Sequence, residues 1–154
     1  MAKTEQKPRA LLPVSEAIFV QRAVRDWLNT CTELPEGRSV SFEDLDENAA
    51  GYAMATVQSP AYAARYILGG YKAEYKFRII SRVLPSDDAD MLDAVEELTL
   101  IAGWAETVEP PAIQGAERTH VRRDTDAAAI AAYEDGTIDY AVDLTFIWEV
   151  FENG

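Results

Sequence analysis

The chain has 154 residues, 48% hydrophobic and 27% charged, which suffices for one domain with a real core and is too apolar for a disordered chain. Its net charge of −13 is uneven: residues 1–82 hold eleven Lys/Arg and ten Asp/Glu, whereas residues 83–154 hold three and seventeen. So acidic a surface repels nucleic acid at close range, which argues against DNA or RNA as a bound ligand but not as something that passes nearby.

No apolar run is long enough to cross a bilayer, and the first residues lack the apolar h-region of a signal peptide. Cys31 is the single cysteine, so no internal disulfide is expected, and a reducing cytoplasm is the default site of synthesis.

Residues 1–12, with Lys3, Lys7, Arg9 and Pro8, read as an N-terminal arm, either frayed or ordered against a neighbouring subunit. Residues 13–154 read as a single α+β domain. Ser15 to Cys31 reads as the first helix, with Ser15 as N-cap and Glu16 in the first turn. Its apolar stripe is Ile18, Phe19, Ala23, Trp27, Leu28 and Cys31, widened by Val20 and Val24.

A short strand is expected over Ser39 to Phe42, followed by an acidic run of Glu43, Asp44, Asp46 and Glu47. That run fails as a calcium loop. With Asp44 at position 1, the sixth position is Ala49 instead of Gly, and the twelfth is Ala55 instead of Glu. Ala50 to Gln58 reads as a second strand, and a loop or short helix leads on to Leu68.

The stretch Tyr62 to Val83 organises the rest. Gly69-Gly70 permits a sharp turn. From there Tyr71, Ala73, Tyr75, Phe77, Ile79, Ser81 and Val83 alternate with Lys72, Glu74, Lys76, Arg78, Ile80 and Arg82. Period two over thirteen residues predicts a half-buried strand about 43 Å long. The second helix is expected from Ser86 as N-cap, with Asp87, Asp88 and Asp90 in the first turn and Met91, Leu92, Val95, Leu98 and Ala102 inward. Asp93, Glu96 and Glu97 make its outer face acidic.

Beyond Glu109-Pro110-Pro111, His120 stands among Arg118, Arg122 and Arg123. Without Cys or His at ligand spacing it reads as structural or exposed, not as a metal ligand. Thr125 to Tyr133 is alanine-rich, which favours helix locally. It nevertheless precedes Asp135-Gly136, a hairpin signal, and a second long alternating run from Ile138 to Val150. It is therefore predicted to be a strand.

If the two long runs are sheet neighbours, Lys72, Lys76, Arg78 and Arg82 face Asp139, Asp143 and Glu149 across the ladder. The predicted fold is α+β: a mostly antiparallel sheet of about four to five strands with two main helices packed on one face. No P-loop, dinucleotide fingerprint or zinc-helix motif occurs, and no cofactor or metal is expected. Cys31 and His120 are the sole Cys and His, which leaves few nucleophile–base options.

The segment Tyr66-Ile67-Leu68-Gly69-Gly70-Tyr71-Lys72, continuing to Tyr75-Lys76-Phe77, resembles a signature of the minor capsid or tail terminator (head–tail joining) proteins of long-tailed bacteriophages. The closing hairpin, Tyr133-Glu134-Asp135-Gly136 with Tyr140 to Trp148, adds to that resemblance, which covers the middle and end of the chain. The resemblance implies a small non-enzymatic subunit that forms a hexameric ring on the head-proximal end of the tail tube and presents a surface to the head-completion or connector protein. It implies a virion location after assembly in the host cytoplasm, with DNA passing through the lumen without specific binding.

On this view Lys72, Lys76, Arg78, Arg82, Asp139, Asp143 and Glu149 are interface candidates, and Asp90, Asp93 and Glu97 are pore-lining candidates whose charge would repel the phosphate backbone. Two other classes compete. An acidic DNA mimic that inhibits a nucleic-acid-binding enzyme would draw on the −14 half and would act as a monomer or dimer. A small carboxylate enzyme would need a concave pocket with acidic groups of shifted pKa.

Overall fold

The computed structural model describes residues 13–35, 37–42, 52–60, 62–113 and 115–151, with side chains from residue 19 onward in the first helix. The expected arm (1–12), the Ser15 cap, the Ile18 side chain and the acidic run Glu43–Glu47 lie outside the described residues or side chains.

In chain order the elements are α1 (Pro13–Leu28), β1 (Val40–Phe42), β2 (Tyr52–Val57), β3 (Ala64–Arg65), β4 (Tyr71–Val83), α2 (Asp88–Thr107), β5 (Arg118–Arg123), β6 (Ala128–Ala132) and β7 (Ile138–Val150). The protein is α+β. Its seven strands form one sheet in the order β1-β2-β4-β7-β5, with β3 also pairing β4 and β6 also pairing β7. The sheet is thus larger than the four to five strands expected, and it is mixed: β1 and β2 run parallel, while the other pairings are antiparallel. The two unforeseen strands explain the difference in size. Ala64–Arg65 is too short to show alternation, and Arg118–Arg123 has one buried side chain, Val121, among charged and polar neighbours.

The two long alternating runs are sheet neighbours along their whole length, from Tyr71 opposite Val150 to Val83 opposite Ile138. β4 opens from a tight hairpin in which the Gly69 N–H donates to the Tyr66 carbonyl at 3.1 Å. Gly69 and Gly70 both have positive φ, 97° and 87°, a conformation that side-chain-bearing residues adopt at a cost. The alanine-rich segment is strand β6, its helix propensity overridden by the hairpin to β7. Gly136 sits in the turn at φ 94°, and the Tyr133 N–H donates to the Thr137 carbonyl at 2.8 Å.

Both helices cover the same face of the sheet, over Tyr75, Phe77, Ile79, Val142, Leu144, Phe146 and Trp148. Trp27 of α1 and Trp104 of α2 meet with ring centroids 4.8 Å apart. Asn29 ties the end of α1 to β1 by exchanging hydrogen bonds with the Val40 backbone at 2.7 and 3.0 Å.

α1 buries most of its predicted stripe, apart from Phe19, whereas α2 is turned in part from its predicted face. In α1, Val20, Val24, Trp27 and Leu28 are buried, while Phe19 is exposed. In α2 the buried face is Ala94, Leu98, Ile101, Ala102 and Ala105. Small alanines let the helix lie close to the sheet, which turns Leu92 out to water. The N-cap is Asp87, not Ser86. Its side chain accepts from the Asp90 N–H, and the Asp90 carboxylate accepts in return from the Ser86 N–H and hydroxyl.

Candidate functional site

The sheet face away from the helices carries the predicted charge ladder. Arg78 opposes Asp143, Arg82 opposes Asp139, and Lys72 opposes Glu149 in register. Both arginines grip their carboxylates through two nitrogens, at 2.7 and 3.1 Å for Arg78 and 2.8 and 3.0 Å for Arg82. Asp139 also accepts from the Tyr133 hydroxyl at 2.7 Å.

Lys76 opposes Thr145 instead of a carboxylate and lies 3.8 Å from Glu74 on its own strand. Arg122 bridges Glu74 at 3.9 Å and Asp124 at 2.8 Å, and the Thr145 hydroxyl donates to Asp124. Glu149 accepts from the Tyr66 hydroxyl at 2.5 Å and faces Arg118 at 3.8 Å.

This face differs from the solvated one expected. Asp139, Thr145, Ala141 and Ile147 of β7 are all buried although neither described helix lies over them. β7 is central, with strands paired on both sides, and the Arg78, Arg82 and Arg122 guanidinium groups bond Asp143, Asp139 and Thr145 on it. Burial alone would raise the Asp139 carboxyl, but Arg82 and Tyr133 outweigh it and hold the group below the usual carboxylate range. Asp124 follows the same logic, with burial opposed by Thr145 and Arg122. Arg78 and Arg82 are raised chiefly by their hydrogen bonds to the facing carboxylates. The Arg78–Asp143 and Arg82–Asp139 pairs are therefore internally satisfied and hold β4 to β7.

The three pore-lining candidates have different surroundings. Asp90 caps α2, with its pKa lowered by the Ser86 hydrogen bonds. Glu97 accepts from the buried Tyr52 hydroxyl at 2.5 Å, tying α2 to β2, and burial together with that bond raises the Tyr52 phenol. Asp93 is exposed, as are Asp88 and Glu96. His120 is exposed on β5, and Cys31 is buried. Among the described residues no group of three or more His, Cys, Asp or Glu side chains is disposed to hold a metal, and no helix is long and apolar enough to cross a membrane.

The outstanding surface feature is the tip of the β3–β4 hairpin. Ile67 and Leu68 are 101% and 91% exposed. Their base is rigidly built. Tyr66 stacks on Phe151 at 5.6 Å with the rings 9° apart, and Arg65 lies over the Tyr62 ring at 3.9 Å. The sequence signal was present, two aliphatic residues immediately before a Gly-Gly turn. Aliphatics before a long strand, however, read equally well as core.

No family model matches the chain, and neither does any curated protein. A solved structure that bears a sequence identifier instead of a functional name is similar, at 12% identity and a TM-score of 0.42, over 92% of this chain and 96% of that one. Similarity of that degree carries no argument about function.

Proposed function

We propose that the chain is a structural virion protein of a long-tailed bacteriophage: a tail terminator or head–tail joining subunit. It forms a homo-oligomeric ring, expected to be a hexamer, that caps the tail tube and joins it to the head connector, without catalysis or cofactor. The observation that carries the reading is the hairpin tip. The turn Tyr66–Lys72, on which the family resemblance rests, holds two large aliphatic side chains wholly in water on a braced aromatic base. A subunit that works alone has little use for such a prong, whereas one that docks on neighbours does.

The acidic outer side of α2, now Asp88, Asp93 and Glu96, is the proposed lumen-facing charge that lets DNA slide past without sticking. The interface role of the Lys72–Arg82 ladder narrows in this reading. Arg78, Arg82, Asp139 and Asp143 are spent on one another, and the proposed contacts pass to the exposed tip.

Electron microscopy of lysates from the phage lacking this gene tests the proposal. Overlong or headless tails beside filled heads are expected. Normal virions in normal number would overturn it and bring forward the DNA-mimic reading, which the exposed carboxylates of α2 favour.

A further inference from the structure

The β4–β7 ribbon is about 40 Å long, and its two ends differ in chemistry. One end carries Ile67, Leu68 and Phe151 at 101%, 91% and 38% exposure, with the exposed cations Arg65 and Arg118 beside them. Glu149 at that end is engaged by Tyr66 and Arg118, so that pair cancels, and among the described residues Arg65 and Lys72 stand against the exposed Glu117. At the other end, Leu84 is 64% exposed and Tyr133 is 44% exposed. Leu84 lies over the β6–β7 turn, where its Cδ1 would be 3.3 Å from a Cβ on Gly136. The surrounding exposed charges there are Glu134, Asp135, Asp87 and Asp88, and the nearby Arg82 is already committed to Asp139.

We propose that copies of this chain associate head to tail, the Ile67–Leu68 tip of one seating on the Leu84–Tyr133 end of the next. Each end offers an apolar centre with a charged rim, and among the described residues the tip rim is weakly positive whereas the other rim is strongly acidic. Tip-to-tip pairing would set Arg65 and Lys72 against their own copies. Pairing of the other ends would set four carboxylates against four. Unlike ends are therefore the favoured partners, and a contact between unlike patches is heterologous: repeated, it closes into a ring or runs on as a filament. The inference deepens the ring reading and rests on it only for the expectation of closure.

Disulfide trapping tests the contact. Leu68→Cys and Leu84→Cys are made in the otherwise unchanged chain, where Cys31 is buried and stays out of reach of oxidant. A mixture of the two single variants is expected to yield disulfide-linked pairs containing one of each. The double variant is expected to yield a ladder of linked multimers. Leu68→Cys alone linking to itself, linkage to a Cys placed at Leu92 in preference to Leu84, or no linkage in a folded, concentrated sample would each overturn the proposal.

Ile67→Asp supplies an independent readout. It is expected to weaken association by at least about tenfold. It should leave the melting temperature of the monomer unchanged, because the side chain lies in water. Loss of folding instead of loss of association would refute the assignment. A trapped unlike pair together with normal virions from the gene-deleted phage would keep the contact and remove the phage role. Defective tails without the trapped pair would do the reverse.

Discussion

Arg82→Met should destabilise the protein by about 2–3 kcal/mol, because it strands a buried carboxylate. The side chain of Asp139 is 7% exposed and that of Arg82 is 24% exposed. Removing one partner of a fully buried pair costs roughly 3–5 kcal/mol. Two features bring the figure down here. Arg82 is partly open to water, and the Tyr133 hydroxyl still donates to Asp139. Methionine keeps the apolar stem, so the loss reports charge and not packing.

The assay is equilibrium urea unfolding, read as a lower midpoint at unchanged slope. The expected fall in melting temperature is about 5–10 °C. Pairing the change with Asp139→Leu should recover a large part of the loss, a coupling of about 2 kcal/mol in the double-mutant cycle. The pH dependence has a definite sign. The Asp139 carboxyl is lowered in the folded state, so its contribution is present above the ordinary carboxylate pKa and is lost as pH falls through the folded value. Without Arg82 the burial effect is opposed by Tyr133 alone and the carboxyl protonates more readily than in the wild type, so the gap between wild type and variant should narrow on acidification. A loss below about 0.5 kcal/mol, the level expected of an exposed pair such as Arg25–Asp26, would refute the argument that burial sets the cost.

Three further outcomes follow from the same structure. Asp124→Asn should remove part of the acid sensitivity seen in a pH titration of stability below the usual carboxylate range, because the lowered Asp124 carboxyl contributes above that range and not below it. Gly136→Ala should destabilise by about 1 kcal/mol or more in urea melts, since the turn needs positive φ; an unchanged midpoint would contradict the hairpin geometry. Leu98→Ala should cost about 2–5 kcal/mol, whereas Leu92→Ala should stay within about 0.5 kcal/mol; equal effects would mean that α2 is rotated otherwise.

The parts of this architecture that were legible in the sequence share one property: a long period. β4 and β7 each alternate over thirteen residues, which no helix imitates, and their opposite charges anticipated that cations of one face carboxylates of the other, as Arg78 faces Asp143 and Arg82 faces Asp139. β6 was legible against its own propensity because Asp135-Gly136 fixed the hairpin. Short elements left no period to read. Ala64–Arg65 spans one turn of alternation, and Arg118–Arg123 buries Val121 alone.

The rotation of α2 was hidden for a different reason. Hydrophobicity ranks Leu92 above Ala94 and Ala105, but close approach to a sheet selects the small side chains. Burial of Asp139 and Thr145 was hidden because it depends on neighbours in space, among them Arg82 and Tyr133 for Asp139 and Arg122 and Asp124 for Thr145. The hairpin tip was hidden because an aliphatic pair carries no mark of whether water or protein covers it.

The central place of β7 has a consequence for how the chain comes to be folded. It is the last described strand in the sequence, yet β4, β5 and β6 all take their pairing from it. During synthesis β4 must wait for a partner that lies far along the sequence, with Tyr71 meeting Val150. Until then its row of Tyr75, Phe77 and Ile79 is covered at most by α1, β2 and α2, and its other edge is unpaired. Such distant pairing predicts slow, late closure and a growing chain in need of shielding while it is incomplete.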